Sequence, residues 1–346
     1  MADWSLDDFD YVLPPECIAQ HPAPERDGAR LLVLDRESGV TAHSRVRDLA
    51  SWLRADDLVV VNATRVLPAR LRGRKATGGT SEALLLGAAP GAAGRYRALL
   101  RARGRRRVGE KFRFGSEAEG LDAELMALGA DGEIELAFAP GTSPYAHGET
   151  PLPPYIRRGA PHAADVARYQ TIFARDPGSV AAPTAGLHLS ARLLADLASA
   201  GVERTEVVLH VGPGTFRPLR PRDLASGRLH AEPFELPEAT AAQIARTRER
   251  GGRVVAVGTT TARVLESCAI GNGRVRATHG ETDLFLRPGS RFRAVDALLT
   301  NFHLPRSSLL LLVAAFAGRE HIRAAYAEAI GTGYRFYSYG DAMLLR

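Results

Sequence analysis

The chain has 346 residues, 45% of them hydrophobic, and a formal net charge of +6 at pH 7. That length supplies the core of two domains, or of one large domain carrying an insertion. No apolar run reaches the ~20 residues of a transmembrane helix, and the acidic start Met1–Asp10 has no signal-peptide pattern, so a cytoplasmic protein without membrane contact is expected.

Taken in chain order, Asp57–Asn62 reads as a buried strand that stops at Asn62. Between residues 66 and 150 the texture changes to short strand-like pieces, such as Glu82–Leu86 and Ile134–Phe138, broken by Gly-rich turns. Further on, Val180–His188 leads into a helix opened by Ser190 as N-cap. Glu206–Val211 is a second strand and Arg253–Val257 a third, followed by Gly258-Thr-Thr-Thr261 and a helix through Ser267. Val295–Leu299 is a fourth, followed by Thr300–Pro305 and a helix from Ser307. Apolar strands alternating with helices predict an α/β domain with a largely parallel sheet, formed by residues 1–65 and 151–346. Residues 66–150 read as an inserted small β-barrel-like domain. In parallel sheets, ligands bind where the strands' carboxyl ends and helix N-termini converge. Asn62, His210, the threonines after Gly258, and Asn301 with His303 fall at such ends, and the stretch before Ser190 joins them.

Three features carry chemistry. The tract from Arg95 to Arg113 holds nine basic residues and one acidic one, with Tyr96 and Phe112 interleaved, which suits either an RNA-binding face or a solvated arginine-rich hairpin. Lys75 and Lys111 are the only lysines, so a coding preference for arginine also contributes to the basic signal. Thr259 and Thr260 open a helix, where a phosphate or carboxylate is favoured, although a threonine cap needs no ligand. Histidines recur at loop ends: His188, His210, His230 and His303. His230-Ala-Glu232 sets a histidine close to a carboxylate, but no H-E-x-x-H pattern is present, and Cys17 and Cys268 match no ligand spacing, so no metal is expected. No phosphate loop, dinucleotide fingerprint or serine-nucleophile elbow is present.

In their joint order these motifs resemble one family closely, the S-adenosylmethionine:tRNA ribosyltransferase-isomerases of queuosine biosynthesis. The resemblance includes Phe9–Pro14, Arg30–Asp35, Val61–Leu71, Pro151–Ile156, Arg168–Thr171, Ala181–His188, Leu209–Phe216, Val257–Thr260, Thr300–Pro305 and Tyr334–Met343. Ala63, Leu189 and Glu281 depart from its usual pattern. The reaction it implies moves the ribosyl group of S-adenosylmethionine onto 7-aminomethyl-7-deazaguanine at the tRNA wobble position. Epoxyqueuosine forms, and adenine and methionine leave. S-adenosylmethionine is then a ribosyl-donor substrate and no further cofactor is expected. The partner is tRNA, and the chain is expected to act as a monomer.

On that resemblance His188 and His210 are the acid/base candidates, beside Thr184. Thr184, Asn301 and His303 would orient ribose or adenine, with Asn62 beside them, while Gly186 would let the nucleoside approach the backbone. Thr259 and Thr260 would bind the methionine carboxylate, and Arg65 a carboxylate or a tRNA phosphate. Phe302, Tyr339 or Glu232 would face the sulfonium. Arg101, Arg103, Arg105, Arg106, Arg107 and Lys111 become tRNA contacts. Two rival readings use the same residues differently: a non-catalytic tRNA-binding protein on this scaffold, and a metal-dependent hydrolase built on the histidines.

Overall fold

The computed structural model describes residues 4–91, 93–115, 120–156, 163–216 and 219–346, with backbone alone at 163, 215 and 216. The first three residues of the acidic start, and the side chains that end the Leu209–Phe216 motif, therefore lie outside the described residues.

The four apolar runs form the centre of a nine-stranded sheet. Glu203–Leu209, Leu58–Asn62, Val254–Val257 and Ala297–Asn301 lie side by side in that order, all parallel. The last three are buried along their whole length, which is why they read as continuous apolar runs and not as alternations. Antiparallel strands extend this centre. Arg228–Leu236 and Thr278–Leu284 follow on one side. Ala342–Leu345 pairs antiparallel on the other, then Arg30–Leu34 parallel to it, then Thr41–Arg45 at the edge. The fold is therefore mixed α/β with parallel strands at its heart. The three outermost added strands carry Arg, His, Glu and Thr on exposed positions, so hydrophobic pattern alone gave no sign of them.

Period-two alternation sorts side chains to two cores. Leu58 and Val60 join Val207, Leu209 and the helices bearing Leu265 and Leu311 on one face. Val59 and Val61 join Leu189, Leu193 and Leu197 on the other. Both helix starts expected from serine caps are present: Ser190 Oγ accepts from Leu193 N at 3.0 Å, and Ser307 Oγ from Leu310 N at 3.2 Å. Caps of this kind contribute about 1 kcal/mol each. Because the parallel strands share a direction, the loops after them gather at one edge of the sheet.

Six strands within Arg70–Phe138 close into an antiparallel barrel. Leu71, Leu85, Leu100, Phe112, Phe114, Leu125 and Leu136 fill it, and Val180 from the sheet domain packs against the same core. The main chain reinforces that junction through Leu67 N donating to Ser179 O at 2.9 Å.

Candidate active site

A cleft opens where the parallel strands end. Gly258 turns the chain at φ 91°, and the Thr259–Ser267 helix starts there with no side-chain cap. Its first-turn amides have no partner within the helix, and Thr259 and Thr260 line the cleft. The site of Thr260 is fixed by Asn62, whose Nδ2 donates to Thr260 Oγ1 at 3.3 Å and to Leu209 O at 3.0 Å. Asn62 Oδ1 accepts from Thr64 N and Leu209 N, both at 3.1 Å. Asn62 is thus fully used inside the protein, tying strand ends together behind the cleft instead of presenting itself to a ligand.

Asn301 ends its strand in the opposite state. Its Nδ2 donates to His188 Nε2 at 3.0 Å and to Tyr337 O at 3.2 Å. Those acceptors fix which end of the amide is nitrogen, and the other end, Oδ1, is buried without a hydrogen-bond partner. A buried unpaired carbonyl oxygen costs about 1–3 kcal/mol. Asn301 lines the cleft, so a ligand donor could meet that oxygen. His303 lies beside it, its Nε2 2.8 Å from Thr300 Oγ1, and burial pulls its imidazole down to about 3. At neutral pH it is an uncharged hydrogen-bonder. Thr184, half-buried, stands on the wall formed by the Thr184–His188 turn.

Tyr155 and Tyr337 complete the cleft with ring centroids 4.7 Å apart. Tyr155 OH lies 2.5 Å from Ser338 Oγ, and Tyr337 is held at φ 72°, a left-handed backbone conformation that a tyrosine seldom adopts. Burial pushes the Tyr337 phenol up to about 12. Neither tyrosine was singled out from sequence, although both stand in motifs noted there, Pro151–Ile156 and Tyr334–Met343.

Leu309 lines this cleft and also a second cavity of about 360 Å³, a volume in the range of small-molecule sites. The second cavity lies between the sheet domain and the barrel. Asp131 and Glu133 come from the barrel, and Arg220, Arg222, His230, Glu232 and Arg263 from the sheet domain. Glu232 is buried and ion-paired to Arg263, and its Oε1 accepts from Gly212 N at 2.7 Å. Arg263 donates further to Leu284 O at 3.1 Å and Thr282 O at 3.2 Å. His230 is exposed in the cavity, against Gly212 and Gly214.

Thr184, Thr259, Thr260, Asn301, Phe302 and His303 are therefore brought together, and other expected site residues are not. His188 stands behind Asn301, fully buried; burial lowers its pKa to about 4, with Asp341 opposing. Neutral, it accepts from Asn301 and holds that amide in place. His210 lies outside both cavities, with Nδ1 2.8 Å from Thr64 Oγ1 and its ring against Gly178; burial lowers its pKa and Asp176 opposes. Gly186 faces Thr171 and Phe173, 2.9 and 3.0 Å from where a Cβ would sit, so its smallness serves packing and not nucleoside approach. Tyr339 points into a separate cluster and donates to Asp165 Oδ1 at 2.8 Å. The Phe302 ring is enclosed by Tyr326, Tyr334 and Phe336, leaving no face for a sulfonium. Glu232 belongs to the second cavity with its charge already matched. Arg65 is exposed on the short strand Thr64–Val66, away from both cavities.

On the barrel, Arg101, Arg103, Arg105, Arg107 and Lys111 are exposed. Arg106 instead folds back, donating to Leu100 O at 2.5 Å and Gly132 O at 3.3 Å. Its bond to Gly132 ties the basic loop to the turn that carries Asp131, at the rim of the second cavity.

Comparison with known proteins shows the family. Residues 6–345 match the model of a family described as queuosine biosynthesis protein. The S-adenosylmethionine:tRNA ribosyltransferase-isomerase of Anaeromyxobacter dehalogenans strain 2CP-C is 52% identical, covering 98% of this chain and 99% of that one. The protein of the same name from Pelobacter propionicus is 49% identical, covering 98% of each. The crystal structure of S-adenosylmethionine tRNA ribosyltransferase from Thermotoga maritima is 37% identical, with a TM-score of 0.57, over 98% of this chain and 100% of that one. Among the described residues, no helix is long and apolar enough to cross a membrane.

Proposed function

The chain belongs to the S-adenosylmethionine:tRNA ribosyltransferase-isomerases of queuosine biosynthesis, and on that premise we propose that S-adenosylmethionine occupies the strand-end cleft while the tRNA wobble base enters the second cavity. The acceptor is 7-aminomethyl-7-deazaguanine, the product epoxyqueuosine, and adenine and methionine leave. One observation carries the placement: a cleft with an uncapped helix N-terminus and an unpaired acceptor, Asn301 Oδ1, meets at Leu309 a cavity whose barrel side is the Asp131 turn, to which Arg106 of the basic loop is bonded.

The donor's chemistry matches that cleft group by group. The methionine carboxylate goes to the Thr259 and Thr260 amides, where backbone dipoles favour negative charge. The adenine amino group donates to Asn301 Oδ1, and Thr184 takes a ribose hydroxyl. The sulfonium faces Tyr155 and Tyr337, whose rings attract a cation without neutralising it. It stays electron-withdrawing, so the adjacent ribose methylene is acidic enough for a modest base to deprotonate.

The acceptor amine must lose a proton before it attacks. His230 is placed for that transfer, exposed in the second cavity beside the Glu232–Arg263 pair. His188 and Asn62 act as positioning residues, one through Asn301 and the other through Thr260. The exposed arginines of the barrel loop bind tRNA phosphates. We take the monomer as the working unit and place it in the cytoplasm with its tRNA substrate.

Single-turnover transfer of label from ribose-labelled S-adenosylmethionine to tRNA bearing the aminomethyl base tests the assignment. His230→Gln should bind both substrates normally and slow transfer by roughly 100-fold or more. Transfer at the wild-type rate in that variant refutes the cavity assignment.

A further inference from the structure

Asp131 stands at the tip of the barrel turn Ala130–Gly132, with its backbone at φ 55°. Its carboxylate is divided between two guanidinium groups of the sheet domain. Arg220 Nη1 donates to Oδ1 at 2.9 Å, and Arg222 Nη2 to Oδ2 at 2.6 Å. These hydrogen bonds, that from Arg222 first, hold the Asp131 carboxyl below the usual carboxylate range. All three side chains are 38% to 58% exposed, so other anions can reach them. Ion pairs this exposed add little to stability, which leaves their geometry to be explained by something other than cohesion.

Two arginine forks on two oxygens of one anion is also how a phosphodiester is gripped through its non-bridging oxygens. Arg220 and Arg222 line the second cavity, on the side where the barrel approaches. Arg106 of the basic loop donates to Gly132 O, so the loop and the Asp131 turn are joined.

We propose that Arg220 and Arg222 form a clamp for a backbone phosphate of the substrate RNA next to the inserted acceptor base, and that Asp131 occupies this clamp until RNA displaces it. The inference rests on the reading that the acceptor base enters the second cavity. Displacement frees the turn, and with it Arg106 and the basic loop, to settle on the RNA. The carboxylate thus keeps the two guanidinium groups aligned in the free protein, and competes with weaker anions for them.

The test is binding of an anticodon stem-loop RNA to the full chain, followed by fluorescence anisotropy across a salt series. Arg220→Gln with Arg222→Gln should weaken binding roughly tenfold and lower the slope of log K against log salt by about 1, one phosphate contact being lost. Asp131→Asn should tighten binding about threefold, because a neutral amide competes less well with phosphate. Combined with the arginine substitutions, Asp131→Asn should change nothing. Affinity for S-adenosylmethionine should be unaltered throughout. An equal gain from Asp131→Asn with or without the arginines would mean only a general charge effect and would overturn the clamp. So would wild-type affinity and slope in the double arginine variant. If that result came together with slowed label transfer in His230→Gln, the clamp would fall and the cavity assignment would stand.

Discussion

Asn301→Ala separates the two jobs assigned to one amide. The substitution strips the donor from His188 Nε2, leaving one buried acceptor unpaired at about 1–3 kcal/mol, while Tyr337 O keeps its bond from Gly340 N at 3.0 Å. It also removes Oδ1, which already lacks a partner and imposes a cost of about the same size. The two terms nearly cancel, so hydrogen bonding should change the stability of the free protein by no more than about 1 kcal/mol. Binding changes for a different reason: only the wild type gains a partner for Oδ1 when S-adenosylmethionine arrives. One lost hydrogen bond near 1.4 kcal/mol raises Kd about tenfold. At a ligand concentration of 100 times the wild-type Kd, stabilisation by ligand should fall from about 2.7 to about 1.4 kcal/mol. Calorimetric titration gives the first quantity, and thermal unfolding with and without S-adenosylmethionine gives the second. Unchanged affinity would refute the claim that Oδ1 meets the ligand, whatever the stability of the variant.

Acidification supplies another check. His188 and His303 have folded pKa values lowered by burial from 6.5 to about 4 and about 3, so the unfolded chain takes up protons that the native one refuses. Stability should be complete above pH 6.5 and fall between pH 6.5 and 4, each histidine contributing on the order of 3 kcal/mol across that window. His188→Gln should make denaturation midpoints measured over this range visibly less steep in pH; an unchanged slope contradicts its buried, neutral state. Gly186→Ala drives a methyl group against Thr171 and Phe173 and should cost about 1–3 kcal/mol in chemical denaturation while leaving S-adenosylmethionine affinity alone. Lost affinity with full stability would restore Gly186 to the ligand wall. Replacing Arg103, Arg105 and Arg107 together by Glu should weaken tRNA binding and flatten its salt dependence, with small-molecule binding intact; unchanged tRNA affinity would exclude the loop from the RNA surface.

Much of the architecture was legible because burial on both faces leaves a simple trace. Leu58–Asn62, Val254–Val257 and Ala297–Asn301 are uninterrupted apolar runs, and each ends at a polar residue or glycine that the fold places at the cleft. Their loops therefore named Thr259, Thr260, Asn301 and His303 correctly as neighbours. Side-chain direction was not legible. The stretch before Ser190 is a tight turn, Thr184–His188, which sends Thr184 into the cleft and buries His188 behind Asn301. In Tyr337-Ser338-Tyr339 the first two residues line the cleft and the third does not. A left-handed tyrosine at position 337 causes that switch, and no hydrophobic pattern encodes it. His210 shows the same limit: it follows the strand Glu203–Leu209, but its ring lies against Gly178 and Thr64 Oγ1 and lines neither cavity. The edge strands Thr41–Arg45 and Thr278–Leu284 escaped notice because backbone pairing, not apolar burial, holds them.

Photolabelling separates the role of the cleft from that of the cavity. An azidoadenosyl analogue of S-adenosylmethionine, irradiated on the protein and mapped by mass spectrometry, should attach to peptides containing Tyr155, Pro183–Ala185 or Tyr337–Ser338. Excess S-adenosylmethionine should prevent that attachment, and anticodon stem-loop RNA should not. Protected labelling on the stretch from Arg220 to Glu232 instead would place the nucleoside in the second cavity and contradict this division of roles.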